Sequence, residues 1–335
     1  MSIRPDNWAF ARAHQRLLEA KECLAGRYGQ DTCAGKIVRA HIIPRSQLQQ
    51  IAIGGHVHAV PTQLTAVMRM QHSLFEAQDF GVGEFSVLNC FCARHDKKLF
   101  APLEDEPLTF SEEQLALLHY RAIAAEAYQR GNQEDGASAE LRKYSYDDPR
   151  RDAFYTIFHI NSIAAEAAED TLKRLERIFE RKRYDRVRAL IVRFRTAPML
   201  LSVGAFRPLY DVTGQQLQNL ETDSAYLAMH VLTTNKQSAL VFTWLRGQKA
   251  AERFAKSFAA QPREQITTLA IQMAFEYAEH TCMRQDWWLG LNEEVRDALL
   301  WRVKRANSLN YIRSSKLISF RSSYDDWGVD SVQQA

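Results

Sequence analysis

Cys90-Phe91-Cys92-Ala93-Arg94-His95-Asp96 is the stretch whose reading decides how the first third of this chain folds. Two thiols and an imidazole fall together here. Upstream stand Cys23, then Cys33 after nine intervening residues, then His41 after seven more. Zinc takes four soft or borderline ligands in a tetrahedron, commonly two from one turn and two from another. The candidate ligands are therefore Cys23, Cys33, Cys90, Cys92, His41 and His95. Cys92 is preferred over Cys90 because two residues separate it from His95, a spacing that suits one turn. The chain has five cysteines in 335 residues, four of them before residue 93, which is too few for a disulfide scaffold. Clustered, reduced thiols point instead to a metal.

Around this cluster, residues 1 to about 105 read as a helix over Asn7 to Lys21 followed by loops and strands, a segment with few long apolar runs that needs a staple. His56 and His58 alternate on an expected strand, facing one side as a solvated pair. Further on, Ser111 with Gln114 forms a capping-box pattern, and Leu115, Leu118, Ala122 and Ala125 repeat at helical spacing. A helix over Thr109 to Arg130 follows, packed on the zinc module. Gly131 to Ala139 lacks large apolar side chains and reads as an exposed connection.

Arg151 to Arg195 contains almost no helix breakers and carries Phe154, Ile157, Ile160, Ile163, Leu172, Leu175 and Ile178 at helical spacing, which predicts one long helix or two. Pro198 ends it. Leu200 to Val212, Ala225 to Leu232 and Ala239 to Leu245 are rich in branched and aromatic residues and predict strands, with a hairpin loop over Thr233 to Ser238. Helices return from Gln248, including Gln265 to Cys282 and Glu293 to Arg305, with Trp287 and Trp288 as an aromatic lid over the core, before a frayed polar tail. The fold class is α+β: an N-terminal zinc-stapled module with its flanking helix over 1–130, a long helical segment over 140–197, and a C-terminal α+β domain with a small antiparallel sheet over 198–328.

Composition narrows the function classes. With 46% hydrophobic and 25% charged residues the balance is that of a globular protein, and a net charge of +3 does not by itself announce a nucleic-acid binder. Apolar runs such as Ala197 to Ala205 are far shorter than the roughly 18 residues of a membrane span, and Met1 to Ala13 has no signal pattern, so a cytoplasmic protein is expected. No phosphate-binding glycine loop, nucleophile elbow or dinucleotide fingerprint occurs, which argues against an NTPase or a redox enzyme. Charge is nevertheless concentrated locally. Lys173 to Arg195 holds ten Lys or Arg against three acids. Arg177 with Arg181, and Lys182 with Arg186, are like charges at i, i+4, a mildly unfavourable spacing on a helix. A solvated face and contact with a phosphate backbone both remain open.

Ala40-His41-Ile42-Ile43-Pro44-Arg45-Ser46 resembles the histidine-containing turn of HNH nucleases, and Cys92-Ala93-Arg94-His95-Asp96 is similar to their second metal-binding turn. The resemblance spans residues 20 to 104, under a third of the chain. It implies Cys23, Cys33, Cys92 and His95 as structural zinc ligands, with Cys90 as the alternative, and His41 as the general base that activates water. Asp96 and Asn89 would then hold Mg²⁺ or a similar ion, with Glu104 a spare carboxylate. Arg45, Arg181, Lys182, Arg183 and Arg186 are the candidates to contact nucleic acid. In the family a metal-ligating acid or histidine precedes the base; here that position is Ala40. The expected function is metal-dependent cleavage of DNA or RNA with a C-terminal sensing or specificity part, in bacterial defence. The alternative is a non-catalytic zinc-stabilised module that binds nucleic acid or a partner protein.

Overall fold

The computed structural model of the protein describes residues 21–25, 33, 35–61, 76–234, 237–306 and 324–335. The helix expected over Asn7 to Lys21 lies, apart from its last residue, outside the described residues. The N-terminal part contains β1 (Ile37–His41), α1 (Arg45–Ile51), β2 (His56–Ala59), β3 (Gln78–Gly81), β4 (Val87–Cys92) and α2 (Ala93–Glu104). β1 and β4 form an antiparallel pair in which His41 stands opposite Val87 and Ile37 opposite Cys92. The register shifts between Val38 and Ala40, so Asn89 and Cys90 together face the single residue Arg39 as a β-bulge, a device that re-aims side chains.

The Ser111 cap forms as the sequence predicts. Its Oγ accepts from the Gln114 backbone N–H at 3.2 Å, and α3 (Glu112–Leu141) begins there. The Gln114 amide donates to Pro102 O and Pro107 O, both at 2.9 Å, tying the end of α2 to the start of α3. The helix does not stop at Arg130. Gly131 to Ala139 is helical rather than an exposed connection, because Asn132, Gly136, Ala137 and Glu140 are buried along α3, which packs on α4 (Arg150–Glu180) in the most extensive contact between elements. Small side chains let the two helices approach closely. Local polarity thus yields to tertiary packing.

The long helix predicted to Arg195 ends early. α4 closes at Glu180, Lys182 takes a left-handed φ of 49°, and a 3-10 turn over Tyr184–Arg186 leads into β5 (Val187–Phe194). The branched Val187, Ile191 and Val192 suit a pleated surface better than a helix. The basic run consequently lies on no single helix face: Arg181, Lys182, Arg183 and Arg186 occupy the turn.

β6 (Leu200–Phe206), β7 (Leu227–Thr233) and β8 (Ser238–Leu245) fall where the sequence places strands. Thr233 pairs with Ser238 across the expected hairpin. With them stand α5 (Lys249–Ala259), α6 (Arg263–Tyr277), β9 (His280–Met283), α7 (Gln285–Gly290), α8 (Glu293–Ala306) and β10 (Val329–Gln334). The helix expected to reach Cys282 stops at Tyr277, since His280 to Met283 pair with β6 on one side and, through Cys282 and Met283, with β2 on the other. Of the tail expected to fray, residues 307–323 lie outside the described residues, while Val329–Gln334 is β10, hydrogen-bonded along β5. The resulting antiparallel sheet has the order β10-β5-β8-β7-β6-β9-β2-β3, so strands from the N-terminal part complete it.

α3 lies against one face of this sheet, in a core shared with the N-terminal part. α5, α6 and α8 cover the other, where Phe254, Phe258 and Leu269 meet Phe242 and Trp244. Trp288 is buried and stacks on Phe275, as the aromatic lid requires. Gly204 allows the close approach of the α6–β9 connection: a Cβ there would lie 2.6 Å from Ala278 Cα.

Three histidines on the inner elements titrate far from their usual range. Burial pushes His119 and His230 down to about 3 and His280 down to about 4. Each is therefore neutral when folded, whereas in the unfolded chain it takes up a proton below pH 6.5 or so. Between those values the unfolded state binds more protons, so stability falls as pH falls. Urea midpoints should drop from pH 7.5 to pH 5.0 with metal content unchanged, and a flat profile would contradict the buried, neutral assignment.

Candidate metal centre

The centre is assembled by the junction of β4 and α2. Cys92 is the last residue of β4 and the N-cap of α2, its Sγ accepting from the His95 backbone N–H at 3.5 Å. One helical turn later the His95 side chain comes back over that cap. Its Nδ1 lies 3.2 Å from Cys23 Sγ, 3.4 Å from Cys92 Sγ and 3.6 Å from Cys33 Sγ. All four ligand atoms fall within 4.8 Å of one another. Glu22 N donates to Asn89 O at 3.1 Å, which pins the Cys23 segment alongside β4.

A tetrahedral zinc ion with Zn–S near 2.3 Å and Zn–N near 2.0–2.1 Å places each sulfur about 3.5 Å from the nitrogen. The three observed separations bracket that value. Hydrogen bonding alone gives a poorer account, since a neutral imidazole nitrogen offers one lone pair or one proton and not partners for three thiols. The cluster is close enough to hold a metal, and three thiolates with one imidazole form a donor set suited to structural zinc.

Cys90 lies outside this set. It is wholly buried in the hydrophobic core with Phe91 and Phe100, and burial pushes its thiol far up, which disfavours the thiolate a metal needs. His41 also stands apart from the cluster, its Nε2 2.9 Å from Val82 O. Because a carbonyl only accepts, Nε2 carries the proton and a neutral His41 keeps its Nδ1 lone pair. Ala40 is 1% exposed and packed in the core, so the position before the histidine points away from any solvent-facing site.

Asp96, in the first turn of α2, stands within electrostatic reach of Arg121, Glu104 and His41. Burial raises its carboxyl above the usual range while the Arg121 guanidinium opposes that rise. Arg121 is the polar residue that sequence reasoning passed over. It is 1% exposed on α3, donates to Glu104 Oε1 at 2.6 Å and lies 3.9 Å from the Phe100 ring centre. A lone arginine among the apolar residues from Leu115 to Ala127 was the signal available. His56 is exposed while His58 is buried and bonds Asp79 at 2.7 Å, so the two do not form a solvated pair.

No protein-family model, no curated protein and no solved structure matches the chain. Among the described residues no helix is long and apolar enough to cross a membrane.

Proposed function

We propose that the protein is a metal-dependent nuclease in which a structural zinc ion, held by Cys23, Cys33, Cys92 and His95, positions His41 to act on a phosphodiester. The observation that carries this reading is the 2.9 Å contact of His41 Nε2 with Val82 O. With Nε2 committed to Val82 O, the Nδ1 lone pair is the one available to take a proton from water. The Asp96 carboxylate and the Asn89 amide are the donors for a Mg²⁺-like ion, which when bound would stabilise charge on the scissile phosphate. Arg45 and the turn residues Arg181, Lys182, Arg183 and Arg186 supply positive charge for the backbone, in DNA or RNA. A nuclease coupled to a sensing part suits a defence role, an inference by analogy.

Incubating plasmid and RNA with the zinc-loaded protein and Mg²⁺ or Mn²⁺ tests the reading. A general base contributes roughly 10²- to 10⁴-fold, so His41→Ala should lower cleavage by that factor with zinc content unchanged. Absence of cleavage with every ion, or cleavage indifferent to His41→Ala, would remove the nuclease. Ala40 supports a second reading, a zinc-stabilised module that binds nucleic acid or protein without cutting, since its core position supplies no metal ligand.

A further inference from the structure

At the end of the sheet distant from β2 and β3, on the side covered by α5, there is a cavity of about 250 Å³ lined by Arg188, Trp244, Arg246, Gly247, Glu252 and Gln334. We propose that it is a binding site for a terminal phosphate group, a phosphomonoester carried by a nucleotide or by a nucleic-acid end. The proposal does not depend on the nuclease reading.

Sheet register builds the site. Arg188 on β5 stands directly opposite Trp244 on β8, and Arg246 follows two residues after Trp244, its backbone N–H donating to Arg186 O at 2.7 Å. Two guanidinium groups thereby line one cavity. Neither makes a side-chain hydrogen bond or an ion pair with any described residue. Like charges at neighbouring cross-strand positions are unfavourable unless something offsets them. The acids nearby make their closest pairs with other cations, Glu252 with Lys256 at 2.6 Å and Asp185 with Arg183 at 3.0 Å and Arg186 at 3.7 Å, although Asp185 also lies within electrostatic reach of Arg246. The cavity therefore keeps a net positive charge, two guanidinium groups against the one carboxylate of Glu252.

A phosphomonoester dianion is drawn by that charge, and its three terminal oxygens suit two guanidinium forks better than a single carboxylate does. α5 begins beside Gly247 with no side-chain cap, which adds a favourable helix dipole for an anion. The concave shape favours an end group over a backbone running past. Gln334, next to last in the chain, adds an amide that can donate to an ester oxygen.

Titration calorimetry on the full-length, zinc-loaded protein tests this with inorganic phosphate, a nucleoside 5′-monophosphate, the parent nucleoside, and one oligonucleotide with either a 5′-phosphate or a 5′-hydroxyl. The phosphate-bearing ligands should bind while the nucleoside and the 5′-hydroxyl strand bind at least about tenfold more weakly, since charge-assisted hydrogen bonds carry the affinity. Binding of the monophosphate assigns the site to free nucleotides. Binding of the phosphorylated strand alone assigns it to nucleic-acid ends. Arg188→Gln with Arg246→Gln should weaken binding by about tenfold or more, and Glu252→Gln should tighten it severalfold by removing a negative wall. Arg142→Gln with Arg263→Gln, which removes the same charge elsewhere, should change nothing. No phosphate-bearing ligand bound at millimolar concentration, equal binding of the two strands, or indifference to the Arg188 and Arg246 changes would overturn the site.

Discussion

Cys92→Ser is expected to yield a chain that retains less than one zinc and unfolds at markedly lower denaturant than the wild type. Metal binding to a site absent from the unfolded chain is itself folding free energy, about 10–16 kcal/mol for structural zinc in small peptides, so losing one thiolate should cost several kcal/mol. Serine keeps the other role of this position. Cys92 caps α2, and serine is among the best N-cap residues, so the loss reports on the metal rather than on the helix terminus. Cys90→Ser is the matched control: it places a hydroxyl in the core and lowers stability but should leave zinc at one per chain. Full metal content in the Cys92 variant would remove Cys92 from the ligand set.

Glu276→Ala is expected to destabilise the other face of the sheet by about 3–5 kcal/mol, the cost of removing one member of a buried ion network. The Glu276 side chain is fully buried on α6, and its two oxygens receive Arg302 and Arg305 of α8, each at 2.5 Å. Without the carboxylate, two guanidinium groups one turn apart on α8 remain in the α6–α8 contact with their shared counter-charge gone. Replacing all three together, Glu276→Leu with Arg302→Met and Arg305→Met, should recover most of the loss, because apolar residues of similar volume often replace a buried ion network at little cost. Urea midpoints for the three proteins decide the matter. A drop below about 1 kcal/mol in the single variant, in the range of exposed ion pairs, would contradict the buried network.

Legibility in the sequence followed the range of the forces involved. Ser111 and Gln114 fix a helix start through a local hydrogen bond, and that cap is present. The branched runs in β6, β7 and β8 bury whole strands, and they too could be read directly. Residues whose state depends on distant partners were not. Gly131 to Ala139 becomes helical because α4 covers it, and Val187 to Phe194 becomes a strand between β8 and β10. His280 to Met283 and Val329 to Gln334 are strands for the same reason, each completed by neighbours remote in sequence.

At the site, the one-turn spacing of Cys92 and His95 was readable because a helix turn enforces it. Zinc chemistry left six candidates, and the choice of Cys23 and Cys33 as their partners was what the HNH resemblance implied; the four atoms do converge. Arg121 escaped notice because an arginine on an apolar helix looks like a snorkelling surface residue until its burial and its bond to Glu104 are seen.

X-ray absorption at the zinc edge of the purified protein tests the centre most directly. One zinc per chain with three sulfur neighbours near 2.3 Å and one nitrogen near 2.0–2.1 Å is the predicted result. A protein without bound zinc, or zinc surrounded by oxygen and nitrogen alone, would contradict it.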